Sequence, residues 1–202
     1  AGVDDVLFFE EVLDHFAAHL AVDASRIWFS GASNGGLMSQ LVACELSERV
    51  AAVAPVIALL PSKQVQNCEL TRPVSLLSIL GTEDPFMTFD GGDSSHDENG
   101  LGDGGPVESA QDTESFWAQR NGCGDMPEVT ELEPVRPNNE TRATLRAYDS
   151  CDQGARVHFY IVQGMGHTWP PLPGAVPSLS GPRSPQLDAT ALIWAFFESA
   201  PP

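Results

Sequence analysis

Apolar side chains recur at helical spacing in the first twenty residues. Between residues 4 and 20 they stand three or four positions apart, at Val6, Leu7, Phe9, Val12, Leu13, Phe16 and Leu20. Such a stripe is typical of an amphipathic helix. Asp4 and Asp5 suit the positive N-terminal end of that helix. The chain is therefore predicted to open on a helix.

Four short, mostly apolar runs predict strands, at residues 26–30, 51–58, 74–80 and 157–162. Helices are predicted at residues 36–47, 107–120 and 185–199. Strands that are apolar on both faces and alternate with helices favour a mostly parallel sheet covered on two sides. The predicted fold class is α/β, with a single domain over residues 1–202.

Composition narrows the function classes. The formal net charge is −18, and Lys63 is the only lysine. Nucleic-acid binding is excluded, because it needs a cationic surface to replace the counterions of the phosphates. No apolar run approaches the roughly 18 residues of a membrane helix. We interpret the net negative charge as a contribution to solubility or to adaptation to salt.

The four cysteines are Cys44, Cys68, Cys123 and Cys151, and none forms a C-x-x-C pair. Zinc or thioredoxin-type chemistry is therefore not expected. An even number at wide spacing predicts two disulfides and an oxidising, extracellular compartment. Three pairings are open from the residues alone, and four buried free thiols are the alternative.

A G-x-S-x-G motif spans residues 31–35, between the first predicted strand and the helix after it. A serine on such a tight turn presents its hydroxyl above the sheet, so Ser33 is the candidate nucleophile. Gly31 and Gly35 are expected to leave room for the close approach of strand and helix. The backbone amide of Asn34 would face the oxyanion of a tetrahedral intermediate.

An acid and a base follow two later predicted strands. Asp84 comes after the third strand, and His167 comes after the fourth. A serine hydroxyl needs a base to take its proton and an acid to orient that base. The chain order Ser33, Asp84, His167 is that of α/β hydrolases. Each residue also has a simpler interpretation: Asp84 as a turn former before Pro85, and His167 as a loop histidine.

These motifs and their flanks resemble the secreted polyhydroxybutyrate-depolymerase-like and feruloyl-esterase group of α/β hydrolases. The similar stretches are residues 22–56, 72–92, 115–123, 148–151, 164–170 and 193–197. The resemblance implies esterase chemistry carried by Ser33, Asp84 and His167. It also implies a Cys123–Cys151 disulfide, and we expect Cys44 to pair with Cys68. Trp169 looks like the aromatic residue that such enzymes place beside the bound ester.

The chain departs from this group at its start. Members have further strands upstream, and a loop there supplies a second oxyanion amide; nothing in the chain matches that loop. The strand at residues 26–30 is apolar and lacks the lysines and prolines that protect natural sheet edges. We therefore expect the first strands to come from the upstream part of a longer precursor or from a second polypeptide.

Other ligand sites have weaker signals. His15 and His19 stand four apart on the first helix, but no zinc motif surrounds them. The Asp-rich stretch at residues 90–105 lacks EF-hand spacing and is interpreted as a solvated loop rather than a calcium site. The Pro-rich stretch at residues 169–185 is predicted to be a second surface loop. No metal and no cofactor is expected.

The function predicted from the sequence is that of a serine carboxylesterase. Feruloyl or cinnamoyl, acetyl and hydroxyalkanoate esters, free or linked to a polymer, are all open as substrates. The alternative is a catalytically silent hydrolase-fold fragment or binding module that lacks a complete oxyanion hole. A peptidase is a further alternative within enzymes.

Overall fold

A computed structural model describes residues 3–94, 105–135, 140–171 and 180–201. Its elements in chain order are α1 (Asp5–His19), β1 (Trp28–Ala32), α2 (Asn34–Glu45), β2 (Ala52–Val56), α3 (Ser62–Val65), β3 (Ser75–Gly81), β4 (Gly92–Asp93), β5 (Pro106–Val107), α4 (Ala110–Arg120), β6 (Glu128–Glu131), β7 (Arg142–Tyr148), a 3₁₀ turn (Asp152–Gly154), β8 (Val157–Gln163) and α5 (Ala189–Glu198). None of the helices within these ranges has the length and apolar character needed to cross a membrane.

The main sheet has six strands in the order β1-β2-β3-β8-β7-β6. Strands β1, β2, β3 and β8 pair in parallel, whereas β7 and β6 are antiparallel to their neighbours. Every residue of β2 and β3 is buried, as expected for central strands covered on both faces. The predicted α/β class with a mostly parallel sheet is confirmed. Strands β4 and β5 form a separate two-stranded ladder.

Each face of the sheet has its own hydrophobic core. On one face, α2 and α4 pack against the strands, and Val42, Trp117 and Phe159 are fully buried there. On the other face, α5 buries Ile193 and Phe196. The sheet therefore lies between two helical layers, which holds the ends of its strands in fixed positions.

Polar caps decide where two of the helices begin. The helix predicted from residue 107 begins at Ala110, because Ser109 accepts a hydrogen bond from an N–H in the first turn. The helix predicted from residue 185 begins at Ala189, because the Asp188 carboxylate does the same. In both cases the cap satisfies a backbone donor that the helix leaves free.

Two strands of the main sheet, β6 and β7, are absent from the sequence-based prediction, as are the two short strands β4 and β5. All four residues of β6 are exposed, so its sequence does not show the apolar pattern from which a buried strand is predicted. Strand β7 mixes exposed and buried residues, and it pairs with β8 along its whole length. The first strand also differs from its predicted position, since it lies two residues later, at Trp28–Ala32.

A buried glutamine joins three parts of one core. The side-chain oxygen of Gln40 in α2 accepts a hydrogen bond of 2.9 Å from the Trp117 indole in α4. Its amide nitrogen donates to the carbonyl of Leu59, after β2, at 3.0 Å. Gln40 and Trp117 are inaccessible to solvent, so these bonds act in a medium of low polarity. They fix α2 relative to α4.

Both expected disulfides are present. Cys44 in α2 is bonded to Cys68, and Cys123 after α4 is bonded to Cys151 before β8. No free cysteine remains. Each bond connects a helix or its end to a loop, which restricts the unfolded chain and contributes about 2–4 kcal/mol in the chain-entropy account.

One edge of the main sheet carries unusual apolar exposure. Within the described residues, β1 pairs with β2 alone. Helix α1, which contacts β1 through the rings of Phe9 and Phe29, has no buried residue, and its Leu7, Phe8 and Phe16 are each about half exposed. The expectation that further strands cover this edge stays a prediction.

A buried carboxylate joins α4 to β7. Glu114 accepts hydrogen bonds from Arg146 Nε at 2.6 Å and from the Tyr148 hydroxyl at 2.9 Å. Burial, followed by the bond to Glu114, raises the pKa of Tyr148 to about 12. Burial and the charge of Asp149 raise the pKa of Tyr160, the other tyrosine of the chain.

We expect the protein to lose stability at alkaline pH through these tyrosines. The folded Tyr148 keeps its proton up to about pH 12, whereas the unfolded residue loses it near pH 10.0. Because the folded state then binds more protons, the free energy of unfolding falls across that window, by about 2–3 kcal/mol for Tyr148. Urea unfolding at several pH values measures this decline. Tyr148→Phe should reduce it, and an unchanged decline in that variant would contradict the account.

Candidate active site

The three residues predicted to carry the chemistry follow the carboxyl ends of parallel strands. Ser33 follows β1, Asp84 follows β3 and His167 follows β8. Because these strands are parallel, their carboxyl ends lie together at one end of the sheet. A backbone hydrogen bond of 3.0 Å from Ser33 N–H to the Val56 carbonyl fixes the turn after β1 to the end of β2.

Ser33 occupies a strained backbone conformation. Its φ of 55° and ψ of −121° lie outside the regions that L-residues favour. The residue is the N-cap of α2, and its carbonyl accepts hydrogen bonds from Gly36 and Leu37 at 2.8 and 3.0 Å. The strand therefore turns into the helix within a single residue. A turn of this kind presents the serine side chain at the strand edge, and the surrounding packing sustains its strain.

The close approach of strand and helix depends on Gly31 and Gly36. A Cβ atom at Gly31 would lie 2.5 Å from the backbone of Gly35, and one at Gly36 would lie 2.5 Å from Ala58 Cβ. A Cβ atom at Gly35 would meet nothing within 4 Å. The expectation that the absence of a side chain at Gly35 is needed for the close approach was therefore wrong. A side chain at Gly35 would point into open space, whereas one at Gly36 would meet Ala58.

The first turn of α2 offers a free backbone donor. The Asn34 N–H donates to no acceptor among the described residues. The first N–H groups of a helix have no partner within the helix, and the helix dipole makes this end attractive to negative charge. The arrangement is chemically able to bind an oxyanion beside Ser33.

Asp84 and His167 form a direct hydrogen bond. Asp84 Oδ2 lies 2.8 Å from His167 Nδ1, and the Asp84 side chain is only 1% exposed. The other carboxylate oxygen accepts hydrogen bonds from the N–H groups of Phe86 and Met87, each at 2.9 Å. Asp84 therefore closes its own turn and also binds the imidazole. The adjacent Glu83 is exposed.

The loop after β8 crosses the end of β3. A Cβ atom at Gly81, the last residue of β3, would collide with the Met165 carbonyl. The same carbonyl accepts a hydrogen bond of 2.9 Å from the Glu83 N–H. The His167 ring packs edge-to-face on Phe86, with 5.1 Å between ring centroids. Among the described residues, no hydrogen bond joins Ser33 to His167.

A second strained residue lies beside the turn at Ser33. Ile57 directly follows β2 and has a φ of 48°, which is rare for a β-branched side chain. Its N–H donates to the Ile79 carbonyl of β3 at 2.8 Å. Ile57 is buried, so packing on both sides keeps it in this conformation. No local sequence pattern indicates it, since isoleucine ordinarily favours extended backbone.

The remaining sequence candidates form contacts with other parts of the chain. Trp169 is half-buried, and its indole N–H donates to Thr190 in α5 at 3.2 Å. His15 and His19 stack on α1 with 4.3 Å between ring centroids. Within the described ranges, no group of three or more His, Cys, Asp or Glu could hold a metal. Most of the stretch considered for calcium, residues 95–104, lies outside the described residues.

A second histidine–aspartate pair lies at the opposite end of the sheet, where β8 begins. His158 Nε2 is 2.7 Å from Asp149 Oδ1, and His158 stands at the start of β8 rather than after its end. The His158 ring packs against Phe196 of α5. The sequence analysis did not identify this pair, because neither residue belongs to a motif. It lies away from the strand ends that bear Ser33.

Among curated proteins, the chain is similar to esterases. It is 30% identical over 168 residues to feruloyl esterase B of Piromyces equi, which covers 81% of the chain and 29% of that protein. It is 27% identical over 195 residues to feruloyl esterase D of Neurospora crassa, which covers 96% of the chain and 55% of that protein. It is 22% identical over 168 residues to the bifunctional acetylxylan esterase/xylanase XynS20E of Neocallimastix patriciarum, which covers 83% of the chain and 22% of that protein.

The chain thus spans between 22% and 55% of these relatives' own lengths. No protein-family model matches it. The expected resemblance to feruloyl esterases is confirmed as a similarity of sequence. The likeness to polyhydroxybutyrate depolymerases stays a prediction.

We expect the two adjacent glycines of the turn to respond differently to an added methyl group. Gly36→Ala should lower the free energy of unfolding by about 1–3 kcal/mol, because the methyl overlaps Ala58. Gly35→Ala is the matched control; it should be neutral or stabilising by up to about 1 kcal/mol, since alanine favours helix. Urea unfolding measures both. Equal values for the two variants would contradict the assignment of the close contact to Gly36.

Proposed function

We propose that the protein is a serine carboxylesterase that uses Ser33 as nucleophile, His167 as base and Asp84 as acid. One observation carries the proposal. The buried Asp84 carboxylate lies 2.8 Å from His167 Nδ1, at the same sheet edge as the strained turn that bears Ser33. The similarity of sequence to proteins named feruloyl esterase supports it.

The reaction proceeds through an acyl-enzyme. Ser33 Oγ attacks the carbonyl carbon of the ester while His167 Nε2 takes the hydroxyl proton. The Asn34 N–H donates to the oxyanion of the tetrahedral intermediate. His167 then gives its proton to the departing alcohol, and water releases the acid by the reverse sequence. No cofactor takes part.

Asp84 has two tasks in this scheme. Its carboxylate accepts the Nδ1 proton of His167, which leaves Nε2 free to take the proton of Ser33. It also stabilises the imidazolium that forms during the attack. Because Phe86 and Met87 donate to the second carboxylate oxygen, the acid cannot rotate away from the ring without losing two hydrogen bonds.

Ser33 and His167 must approach each other when substrate binds. The two side chains share no hydrogen bond among the described residues. Catalytic hydrogen bonds are often long or absent before substrate binds, and they tighten in the complex. The missing contact also favours a second candidate function, a silent binding module that keeps the fold without turnover. The Ser33 experiment below separates the two.

The substrates we propose are esters of aromatic or small acids. Relatives are named for feruloyl and acetylxylan esters, and hydroxyalkanoate esters belong to the same chemical class. Trp169 follows the base by two residues, and we propose that its indole ring contacts the acyl group. Turnover of methyl ferulate, p-nitrophenyl acetate and p-nitrophenyl 3-hydroxybutyrate would rank these classes directly.

We also propose that a further strand and a second oxyanion donor complete the site from outside the described residues. Among the described residues β1 pairs with β2 alone, and α1, which contacts β1, exposes several apolar side chains. A second donor would contribute about 3–4 kcal/mol to the stabilisation of the transition state. The two disulfides suit the oxidising compartment in which a secreted enzyme works.

We expect Ser33→Ala to abolish ester hydrolysis without unfolding the protein. The loss in kcat should be about a thousandfold or more, because the substitution removes the oxygen that forms the acyl-enzyme. Ser115→Ala is the control, since Ser115 is an exposed serine of α4 that bonds only within its own helix. Near-normal turnover by folded Ser33→Ala would refute the proposal.

The acid is tested by a matched pair of substitutions. Asp84→Asn should lower kcat on the order of 10⁴-fold, because an amide at this position favours the wrong imidazole tautomer. Asp149→Asn changes the other histidine–aspartate pair in the same way at the far edge of the sheet, and it should leave kcat unchanged. Circular dichroism confirms that both variants are folded. Similar losses in the two variants would indicate a general structural effect instead.

A further inference from the structure

A third segment contacts both of the loops that bear the acid and the base. Ser180, Gly181 and Pro182, which we call the anchoring segment, run alongside the loop after β8. The Gly166 N–H donates to the Pro182 carbonyl and the His167 N–H donates to the Ser180 carbonyl, each at 2.7 Å. Two successive backbone amides, that of His167 and that of the residue before it, are therefore bonded to this segment.

Gly181 lies between the two loops. A Cβ atom there would lie 3.0 Å from the Glu83 carbonyl oxygen on one side and 3.0 Å from Gly166 Cα on the other. Both distances are shorter than a Cβ atom ordinarily keeps, and the distance to Gly166 Cα is well below the roughly 3.5–4.0 Å at which non-bonded carbon atoms pack best. The atoms met are backbone atoms, which cannot rotate away as a side chain would. Gly181 also has a φ of 73°, which favours glycine.

We propose that Gly181 is a positioning residue that sets the distance between Asp84 and His167. The inference rests on the proposed esterase function. Glu83 and Gly166 each directly precede one member of the acid–base pair. An atom inserted between them must move one loop relative to the other, and the 2.8 Å hydrogen bond between Asp84 and His167 then lengthens or bends.

The positive φ of Gly181 does not by itself explain why a glycine occupies this position. Gly154 has a nearly identical φ of 78°, yet a Cβ atom there would meet nothing within 4 Å. Gly154 lies before β8, at the end of the strand opposite to His167. Alanine at either position imposes a similar backbone strain, but only at Gly181 does the methyl group press on the two loops. The pair therefore separates conformational strain from displacement of the site.

The test compares Gly181→Ala with Gly154→Ala in the full chain. We expect Gly181→Ala to lower kcat about 3- to 10-fold with KM within about twofold, because the neighbouring backbone must shift by a few tenths of an ångström, less than the roughly 1 Å that costs about 100-fold. Gly154→Ala should lose similar stability and keep kcat. A second readout is the downfield NMR resonance of the proton between His167 Nδ1 and Asp84, which should broaden or vanish in Gly181→Ala alone.

If Gly181→Ala does not fold, Pro182→Gly is the second test variant. It adds no atom between the two loops. It loosens the anchoring segment by increasing backbone freedom, so we expect a smaller loss of kcat and faster exchange of the same proton. Unchanged kcat and resonance in folded Gly181→Ala, or in Pro182→Gly, would overturn the proposal. Equal losses of kcat in Gly181→Ala and Gly154→Ala would also overturn it. If the wild-type protein hydrolyses no ester, the proposed function fails, whereas the resonance still tests the position of the imidazole.

Discussion

Parallel pairing of β3 with β8 is the contact on which the candidate site depends. Asp84 and His167 are 83 positions apart in the chain, and they meet because the carboxyl ends of these two strands reach the same edge. Burial of every residue of β3 secures that pairing from both faces. The contact between Asp84 and His167 is thus a consequence of core packing, since neither residue has a local reason to meet the other.

Backbone contacts without intervening side chains determine the finer geometry. Gly31 and Gly36 let β1 and α2 touch at the turn that bears Ser33, and Gly81 lets the loop after β8 cross the end of β3. Gly181 separates that loop from the one that bears the acid. At each place a methyl group would meet atoms that cannot yield easily. In the proposed mechanism the polar residues supply the chemistry, and these contacts hold their loops in place.

Much of the fold and of the site was predictable from the sequence. Strands β1, β2, β3 and β8 are mostly apolar, and the residues that follow them form motifs that a local pattern can detect. Strand β6 was not predictable, because all of its residues face solvent. The contact of Gly36 rather than Gly35 with Ala58, and the position of Gly181, depend on segments distant in the chain. Such contacts leave no mark in local periodicity.

Covalent labelling with a fluorophosphonate, followed by peptide mapping, tests the central claim most directly. This reagent reacts with a serine only where a base removes its proton and a donor stabilises the oxyanion, so it reports the whole arrangement at once. The account predicts one adduct per chain, located on Ser33, and none in a chain carrying His167→Ala. An unlabelled protein, or an adduct on another residue, would contradict it.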